Sequence, residues 1–141
     1  MARIFFDHRD APGDLRRRFV RVELAPDEGA DDRPPMDVLE TDTGIEIVLD
    51  LPGIEPHAVS ISAAHDTVVI AGTKGPTRCT GHVAFHLAER GFGRFRRTVT
   101  IGHAFDASRA QATLTAGELR IVLPRIEDRR GRSIPIRIDT R

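Results

Sequence analysis

The sequence predicts an all-β fold of short antiparallel strands, of the sandwich or barrel kind. Apolar side chains alternate with polar ones over short stretches, which is the pattern of a strand with one buried face. Turn-forming glycine, proline and aspartate residues separate these stretches at intervals of about 8–12 residues, as in sandwiches and barrels. Between residues 36 and 123 no stretch favours the helical spacing of apolar residues over alternation.

The predicted strands all show this alternation, and turn residues lie between them. In chain order the strands are Met36–Glu40, Ile45–Asp50, Val59–Ala63, Thr67–Ala71, Val83–Leu87, Phe95–Thr100, Ala110–Leu114 and Leu119–Leu123. Thr41–Gly44 follows the first strand, and Leu51–Gly53 ends the second because proline cannot continue a central ladder. Residues 72–81 are a loop rich in glycine, proline and threonine, Ala116–Gly117 is a hairpin turn, and Pro124 ends the last strand.

The composition is typical of one soluble domain. The chain has 141 residues, 40% hydrophobic and 30% charged, and no apolar run is long enough to span a membrane. The first residues lack the apolar core and cleavage site of a signal peptide. Cys79 is the only cysteine, so an intramolecular disulfide is excluded. We therefore expect a cytoplasmic protein that does not bind a membrane.

Charge is unevenly distributed along the chain, although the formal net charge is +0. Residues 34–73 contain no lysine or arginine, whereas arginine dominates from Arg90 onwards. A basic half is one signature of nucleic-acid binding, but the chain has no Trp or Tyr to stack on bases, so we expect no nucleic-acid partner. We interpret the asymmetry as opposite charges that meet across adjacent strands.

The motifs that carry catalysis or cofactor binding are missing from the sequence. There is no Gly-x-Ser-x-Gly nucleophile elbow, and Gly72–Gly75 lacks the spacing of a phosphate-binding loop. His82 and His86 fall on one face of a predicted strand, but no second ligand motif accompanies them to make a zinc site. We expect no enzymatic activity, no cofactor and no metal.

Both ends of the chain carry apolar residues outside the predicted strands. Residues 1–33 form an arm before the Pro34–Pro35 pair, and Leu15–Leu24 within it predicts a short amphipathic helix. Residues 126–141 form a charged tail that contains the isolated apolar segment Ile134–Ile138. Such a segment needs a groove, on its own domain or on a neighbour's. The predicted organisation is a mobile arm (1–33), a β-domain (34–125) and a tail (126–141).

Five motifs together resemble the α-crystallin domain of small heat-shock proteins, over about residues 34–138. In the order of that family they are Met36–Thr41, Asp50–Ile54, Glu89–Phe95, Ala112–Leu119 and Ile134–Ile136. The resemblance implies an immunoglobulin-like antiparallel β-sandwich. It also implies an ATP-independent holdase chaperone that binds unfolding client proteins, prevents their aggregation and assembles from homodimers into larger homo-oligomers.

The resemblance further implies how the oligomer is held together. Ile134, Pro135 and Ile136 are expected to dock in a groove on a neighbouring protomer. The residues expected to line that groove are Val59, Ile61, Ala63, Ala110, Ala112 and Leu114. Small alanines that face larger aliphatic side chains leave a channel that isoleucines can fill.

Dimerisation and client binding are assigned in the same way. The loop and strand after β-strand Thr67–Ala71 resemble the long-loop bacterial and plant type, in which this strand is exchanged onto the partner's sandwich. Arg97 aligns with an interface arginine that pairs with carboxylates in the family. The implied dimer-interface residues are Val83, Phe85, Leu87 and Arg97. The candidates for client binding, in the arm, are Ile4, Phe5, Phe6 and Phe19.

A second hypothesis is a co-chaperone or adaptor with a similar sandwich of the CS type, which binds a folded protein partner. Such modules generally lack the tail motif and stay monomeric. The oligomeric state in solution therefore distinguishes the two hypotheses.

Overall fold

Two four-stranded antiparallel sheets make up the fold in the computed structural model, which describes residues 22–26, 29–102 and 104–126. The strands in chain order are β1 (Val22–Leu24), β2 (Met36–Glu40), β3 (Gly44–Asp50), β4 (Val59–Ala64), β5 (Thr67–Lys74), β6 (Gly93–Ile101), β7 (Gln111–Thr115) and β8 (Glu118–Pro124). Single turns of 3₁₀-helix, Pro56–Ala58 and Ala107–Arg109, precede β4 and β7. The predicted antiparallel β-sandwich is confirmed.

The order of strands in each sheet decides which strands lie at its edges. One sheet has the order β1-β6-β5-β4 and the other has the order β2-β3-β8-β7. β4 and β7 are therefore edge strands, and so are β1 and β2. Because all neighbouring strands are antiparallel, turns and short loops join most of them.

The core lies between the two sheets and follows from the alternation in the sequence. In β3, Ile45, Ile47 and Leu49 are buried, whereas Glu46 and Val48 between them face outward and are only half-buried. β5, β6 and β8 contribute every second residue in the same way. The buried apolar core residues of the other described residues are Leu51, Val68, Ile70, Phe95, Val99, Ile101, Phe105, Leu119, Ile121 and Leu123.

Ion pairs join the acidic and the basic parts of the chain across adjacent strands, as the charge distribution predicts. Arg120 of β8 binds Glu46 of β3 and also Glu118 on its own strand. Arg125, which follows β8, binds Glu40 at the end of β2 with an N–O distance of 2.7 Å. The uneven charge along the chain thus becomes local pairing in the folded protein.

Most predicted strands agree with the structure, but β5 is longer and β1 was missed. β5 continues past the predicted end at Ala71 because Gly72–Lys74 pairs with Gly93–Phe95 of β6. The helix expected over Leu15–Leu24 is wrong for its last three residues, since Val22–Leu24 is a strand that pairs with Val99–Ile101 of β6. The rest of that expected helix lies outside the described residues.

The strand expected at Val83–Leu87 is wrong for the single chain. Residues 75–92, which we call the exposed loop, contain no strand, and Val83, Phe85 and Leu87 are all exposed. The alternation of apolar residues is present, but a strand also needs a neighbouring strand to accept and donate its backbone hydrogen bonds. The described part of the chain pairs no strand with this segment.

The turn between β7 and β8 provides a test of the fold. Ala116 and Gly117 both have positive φ, 51° and 79°, as in the two-residue type I′ turn that suits a hairpin. A Cβ atom added at Gly117 lies 2.9 Å from the Cα of Pro52, and the Gly117 carbonyl accepts a bond from the Leu51 amide at 2.6 Å.

We expect Gly117→Ala to lower the free energy of unfolding by about 1–3 kcal/mol, because it adds both left-handed strain and a backbone clash. Ala116→Gly is the matched control at the adjacent position. It relieves the left-handed backbone strain at position 116 but raises the conformational entropy of the unfolded chain. The two effects oppose each other, so the free energy of unfolding should change by no more than about 0.5 kcal/mol. Denaturant unfolding at one fixed protein concentration measures both; equal midpoints for the two variants contradict the turn geometry.

Candidate polypeptide-binding surfaces

An apolar cleft opens between the edge strands β4 and β7. Its volume is about 370 Å³, and it reaches the inner faces of both sheets. The residues that line this β4–β7 cleft are Pro56, Val59, Ile61, Ala112, Leu114 and Leu119. Each of these side chains is apolar and carries no titratable group. The cleft can therefore bind apolar side chains by excluding water, and it offers no group that moves a proton.

Strand register explains why these side chains share one cleft. Ile61 lies opposite Ile70 of β5, and Ala112 lies opposite Ile121 of β8, so both point to the inner side of their sheets. β4 and β7 have a neighbour on one side only, and this leaves their inner faces half-covered. Ile61 is accordingly 37% exposed, whereas Ile70 is fully buried.

The cleft agrees in part with the groove predicted from the sequence. Val59, Ile61, Ala112 and Leu114 lie around it, and the sequence named all four. Ala63 and Ala110 were also named, but they do not line the cleft; both are half-buried against the core. That the cleft accepts the tail stays a prediction.

Two lining residues, Pro56 and Leu119, were not predicted. Leu119 lies opposite Leu114 across the β7–β8 hairpin, so the predicted hairpin turn at Ala116–Gly117 already placed these two leucines side by side. Pro56 begins the 3₁₀ turn that leads into β4 and so forms one end of the cleft. No pattern in the sequence predicted that Pro56 would line the cleft.

The exposed loop is a second apolar surface. Phe85 is 59% exposed and Leu87 is 74% exposed, and Val83 continues the same alternation. Large apolar side chains that follow each other along one face of an extended segment are typical of a surface that binds another polypeptide. Phe92, near the end of the loop, is exposed as well.

β2 presents an edge to which such a segment can add. β2 pairs with β3 on one side only, and its opposite side has no strand neighbour among the described residues. Backbone N–H and C=O groups along an open edge bind an added strand. Leu39 is exposed on β2, and Asp37 and Glu40 make this edge acidic.

Arg97 lies inside the sandwich. It is only 6% exposed, and its Nη1 donates a hydrogen bond of 2.6 Å to the carbonyl of Pro34. Pro34 stands two residues before β2, so Arg97 links β6 in one sheet to the beginning of β2 in the other. Its predicted part in a dimer interface stays a prediction, but its position is next to the open β2 edge.

Other predicted site residues lie outside the described residues. They are the arm residues Ile4, Phe5, Phe6 and Phe19 and the tail residues Ile134, Pro135 and Ile136. Within the described ranges, no three His, Cys, Asp or Glu side chains come together as metal ligands. No helix of those ranges is long and apolar enough to cross a membrane.

The sandwich fold agrees with comparisons to known proteins. A model of the Hsp20/alpha crystallin family matches residues 37–137. The chain belongs to this family. The "18 kDa heat shock protein" of Streptomyces albus G is 29% identical over 122 residues, which is 84% of each chain. The "Small heat shock protein C2" of Rickettsia felis is 27% identical and covers 74% of this chain and 68% of that protein.

Solved structures of the family have the same fold. Heat shock protein 16.0 from Schizosaccharomyces pombe superposes with a TM-score of 0.62 at 29% identity, covering 75% of this chain and 97% of that chain. A small heat-shock protein from Xylella fastidiosa, described as having a distinct high order structure, superposes with a TM-score of 0.63 at 26% identity. It covers 79% of this chain and 98% of that chain. The predicted α-crystallin sandwich is confirmed, and membership of the family supports a chaperone role.

Proposed function

We propose that the protein is an ATP-independent holdase chaperone. It binds unfolded or partly unfolded client proteins and keeps them from aggregating. The observation that carries this proposal is the open apolar β4–β7 cleft, which lies at two sheet edges and has only apolar lining. Family membership supports the same function.

Mass action is sufficient for this activity. A surface that binds the unfolded chain lowers the concentration of free unfolded chains, and aggregation depends steeply on that concentration. No step of this kind needs nucleotide hydrolysis or a catalytic side chain. In this proposal the protein is therefore not an enzyme, and its chaperone activity depends on how much apolar surface it exposes.

Assembly uses the same cleft in this proposal. Ile134 and Ile136 of the tail dock in the β4–β7 cleft of a neighbouring protomer, with Pro135 holding the segment extended. Ile134 is the tenth residue after Pro124, the end of β8, and ten residues of extended chain span about 33–36 Å. Burying two isoleucines contributes about 3–6 kcal/mol before the tether is ordered, so docking is reversible.

The homodimer forms when the exposed loop adds to the β2 edge of a second copy. The loop carries Arg78 and Arg90 with Glu89 as its only acidic residue, whereas β2 carries Asp37 as well as Glu40, which Arg125 already pairs. The charge of Asp37 supports the pairing, as does the exposed apolar face of the loop. The high order structure described for the Xylella fastidiosa relative supports self-association beyond the dimer.

The function is tested by heating an aggregation-prone enzyme with the protein in the absence of ATP. At equal subunit concentrations we expect light scattering from the client to be suppressed, because unfolded chains are bound as they form. An unrelated protein at the same mass concentration is the control. Scattering that rises as fast with this protein as with the control contradicts the holdase proposal.

Tail docking is tested by oligomer mass. We expect Ile134→Ala with Ile136→Ala to weaken docking by about 2–3 kcal/mol in total, roughly 30- to 150-fold, and so to reduce the mass seen by multi-angle light scattering. Ile61→Ser, on the cleft side, should have the same effect. Ser133→Ala and Ser62→Ala are the controls and should leave the mass unchanged.

An unmodified protein that is already monomeric contradicts tail docking and favours the adaptor hypothesis. If the unmodified protein is oligomeric and the tail variant keeps the full mass, only the role of the two isoleucines is contradicted. The two outcomes are distinguished in one experiment.

Dimerisation is tested in the Ile134→Ala, Ile136→Ala background, where tail docking no longer adds to the mass. There we expect Phe85→Ser with Leu87→Ser to convert dimers into monomers, because the apolar face of the exposed loop is lost. Ala84→Ser, on the opposite face of the same segment, is the control. Sedimentation velocity measures both, and a variant that stays dimeric contradicts the exchange of this segment.

A further inference from the structure

Residues 22–34 are called the edge segment, and its described parts, 22–26 and 29–34, lie along the outer edge of β6. Val22–Leu24 is opposite Val99–Ile101, and the Ala25 amide donates to the Thr98 carbonyl at 3.3 Å. Further along, the amides of Asp31 and Asp32 both donate to the Arg94 carbonyl, at 2.8 and 3.1 Å. The described parts of the segment thus contact β6 near both of its ends.

Two carboxylates hold the segment at the Arg94 end. Asp31 Oδ2 accepts the Arg94 amide at 3.0 Å and its Nε at 3.3 Å. The Asp32 carboxylate pairs with Lys74 Nζ at 3.4 Å, and these two side chains are only 13% and 16% exposed. The Arg94 amide first, and then its side chain, hold the pKa of Asp31 below its ordinary value, so its charged form is the one bound.

Glycines make the room for these carboxylates. A Cβ atom added at Gly91 lies 2.0 Å from the Asp32 carboxylate oxygen, and one added at Gly93 lies 2.6 Å from the Asp31 Cβ. Gly93 also has a positive φ of 106°, which brings the backbone close to Asp31. The end of β6 therefore combines two cationic side chains with space for two carboxylates.

Apolar burial anchors the edge segment near its two ends, where Leu24 packs against the core and Pro34 is buried. Between them, backbone hydrogen bonds and the ion pairs of Asp31 and Asp32 contact β6 and Lys74. The exposed Asp31–Arg94 pair contributes little to stability, and short edge strands open readily. A segment held in this way can be displaced by another chain of the same chemistry.

We propose that the outer edge of β6, with Lys74 and Arg94 at one end, is a docking site for an acidic, extended polypeptide. The chain's own edge segment is its resident occupant, with carboxylates at Glu23, Asp27, Glu28, Asp31 and Asp32 and only Arg33 as a cation. The incoming chain adds as a strand and places its carboxylates against the two cations.

This site is separate from the β4–β7 cleft and from the β2 edge. It accepts carboxylates and backbone groups, whereas the cleft accepts apolar side chains. The inference rests on the proposed function only in identifying the incoming polypeptide as an acidic stretch of an unfolding client. Docking itself needs only the folded protein.

The test is a titration of a fluorescein-labelled peptide, VELAPDEGADDRP, followed by anisotropy. The full chain with Asp31→Asn and Asp32→Asn has a weakened resident segment, while the peptide keeps its carboxylates. We expect it to bind the peptide about five- to tenfold more tightly than the unmodified protein, as expected for the loss of two ion pairs from the competitor. Asp42→Asn with Asp50→Asn is the matched control, since it makes the same change of charge at two exposed positions away from β6 and from the β2 edge.

Three further comparisons decide the result. The peptide with all its carboxylates replaced by amides should lose most of the affinity, and adding Lys74→Gln and Arg94→Gln to the Asn variant should abolish its gain. Equal affinity for the Asp31/Asp32 and the Asp42/Asp50 variants overturns the proposal. So does equal binding of a scrambled peptide of the same composition, because that shows attraction by net charge alone.

Acetylation gives an independent measurement on the same proteins. Lys74 is the only lysine in the chain, so its rate of acetylation by an amine reagent, read by mass spectrometry, reports on the Asp32 contact alone. Asp32→Asn should raise this rate, and Asp42→Asn should not. Neither experiment involves heat or a client, so failure of the holdase assay and failure of this proposal are distinguishable.

Discussion

Neither sheet of the sandwich closes on itself, and this constraint determines where the protein can bind other chains. A four-stranded open sheet has two edge strands, and an edge strand presents backbone groups and half-covered side chains that its own sheet does not use. β4 and β7 meet at one side of the sandwich and leave the apolar cleft between them. On the other side β2 is open, whereas β6 is covered by β1. All the binding surfaces proposed for the protein are consequences of these edges.

The three surfaces differ in chemistry, and this difference separates their partners. The β4–β7 cleft is lined by apolar side chains, so it favours aliphatic side chains. The β2 edge carries carboxylates, which favour a segment with cationic neighbours. The β6 edge has Lys74 and Arg94 at its end and favours carboxylates. In the proposals made above, the tail, the exchanged loop and an acidic polypeptide therefore bind at different places on one small domain.

The sequence alone predicted the features that depend on short-range alternation. Ile45, Ile47 and Leu49 were expected on one face because residues two apart in a strand share a face, and all three are buried. The resemblance to the α-crystallin domain named four of the six residues around the cleft. Leu119 was missed because its place depends on the register across a hairpin, which alternation within one strand does not specify.

Features that depend on distant pairing were not predictable in this way. β1 is only three residues long, too short for the alternation of Val22, Glu23 and Leu24 to predict a strand, so it was missed until its pairing with β6, far along the chain, was known. The reverse error occurred at Val83–Leu87, where the pattern is that of a strand but the described chain provides no neighbour. Together these cases show that alternation identifies a segment able to form a strand, while a free edge decides whether it does. In this protein the free edges determine which segments can pair, and with which partner. In the proposed function, self-assembly and client binding therefore both depend on a chain that binds at an edge strand.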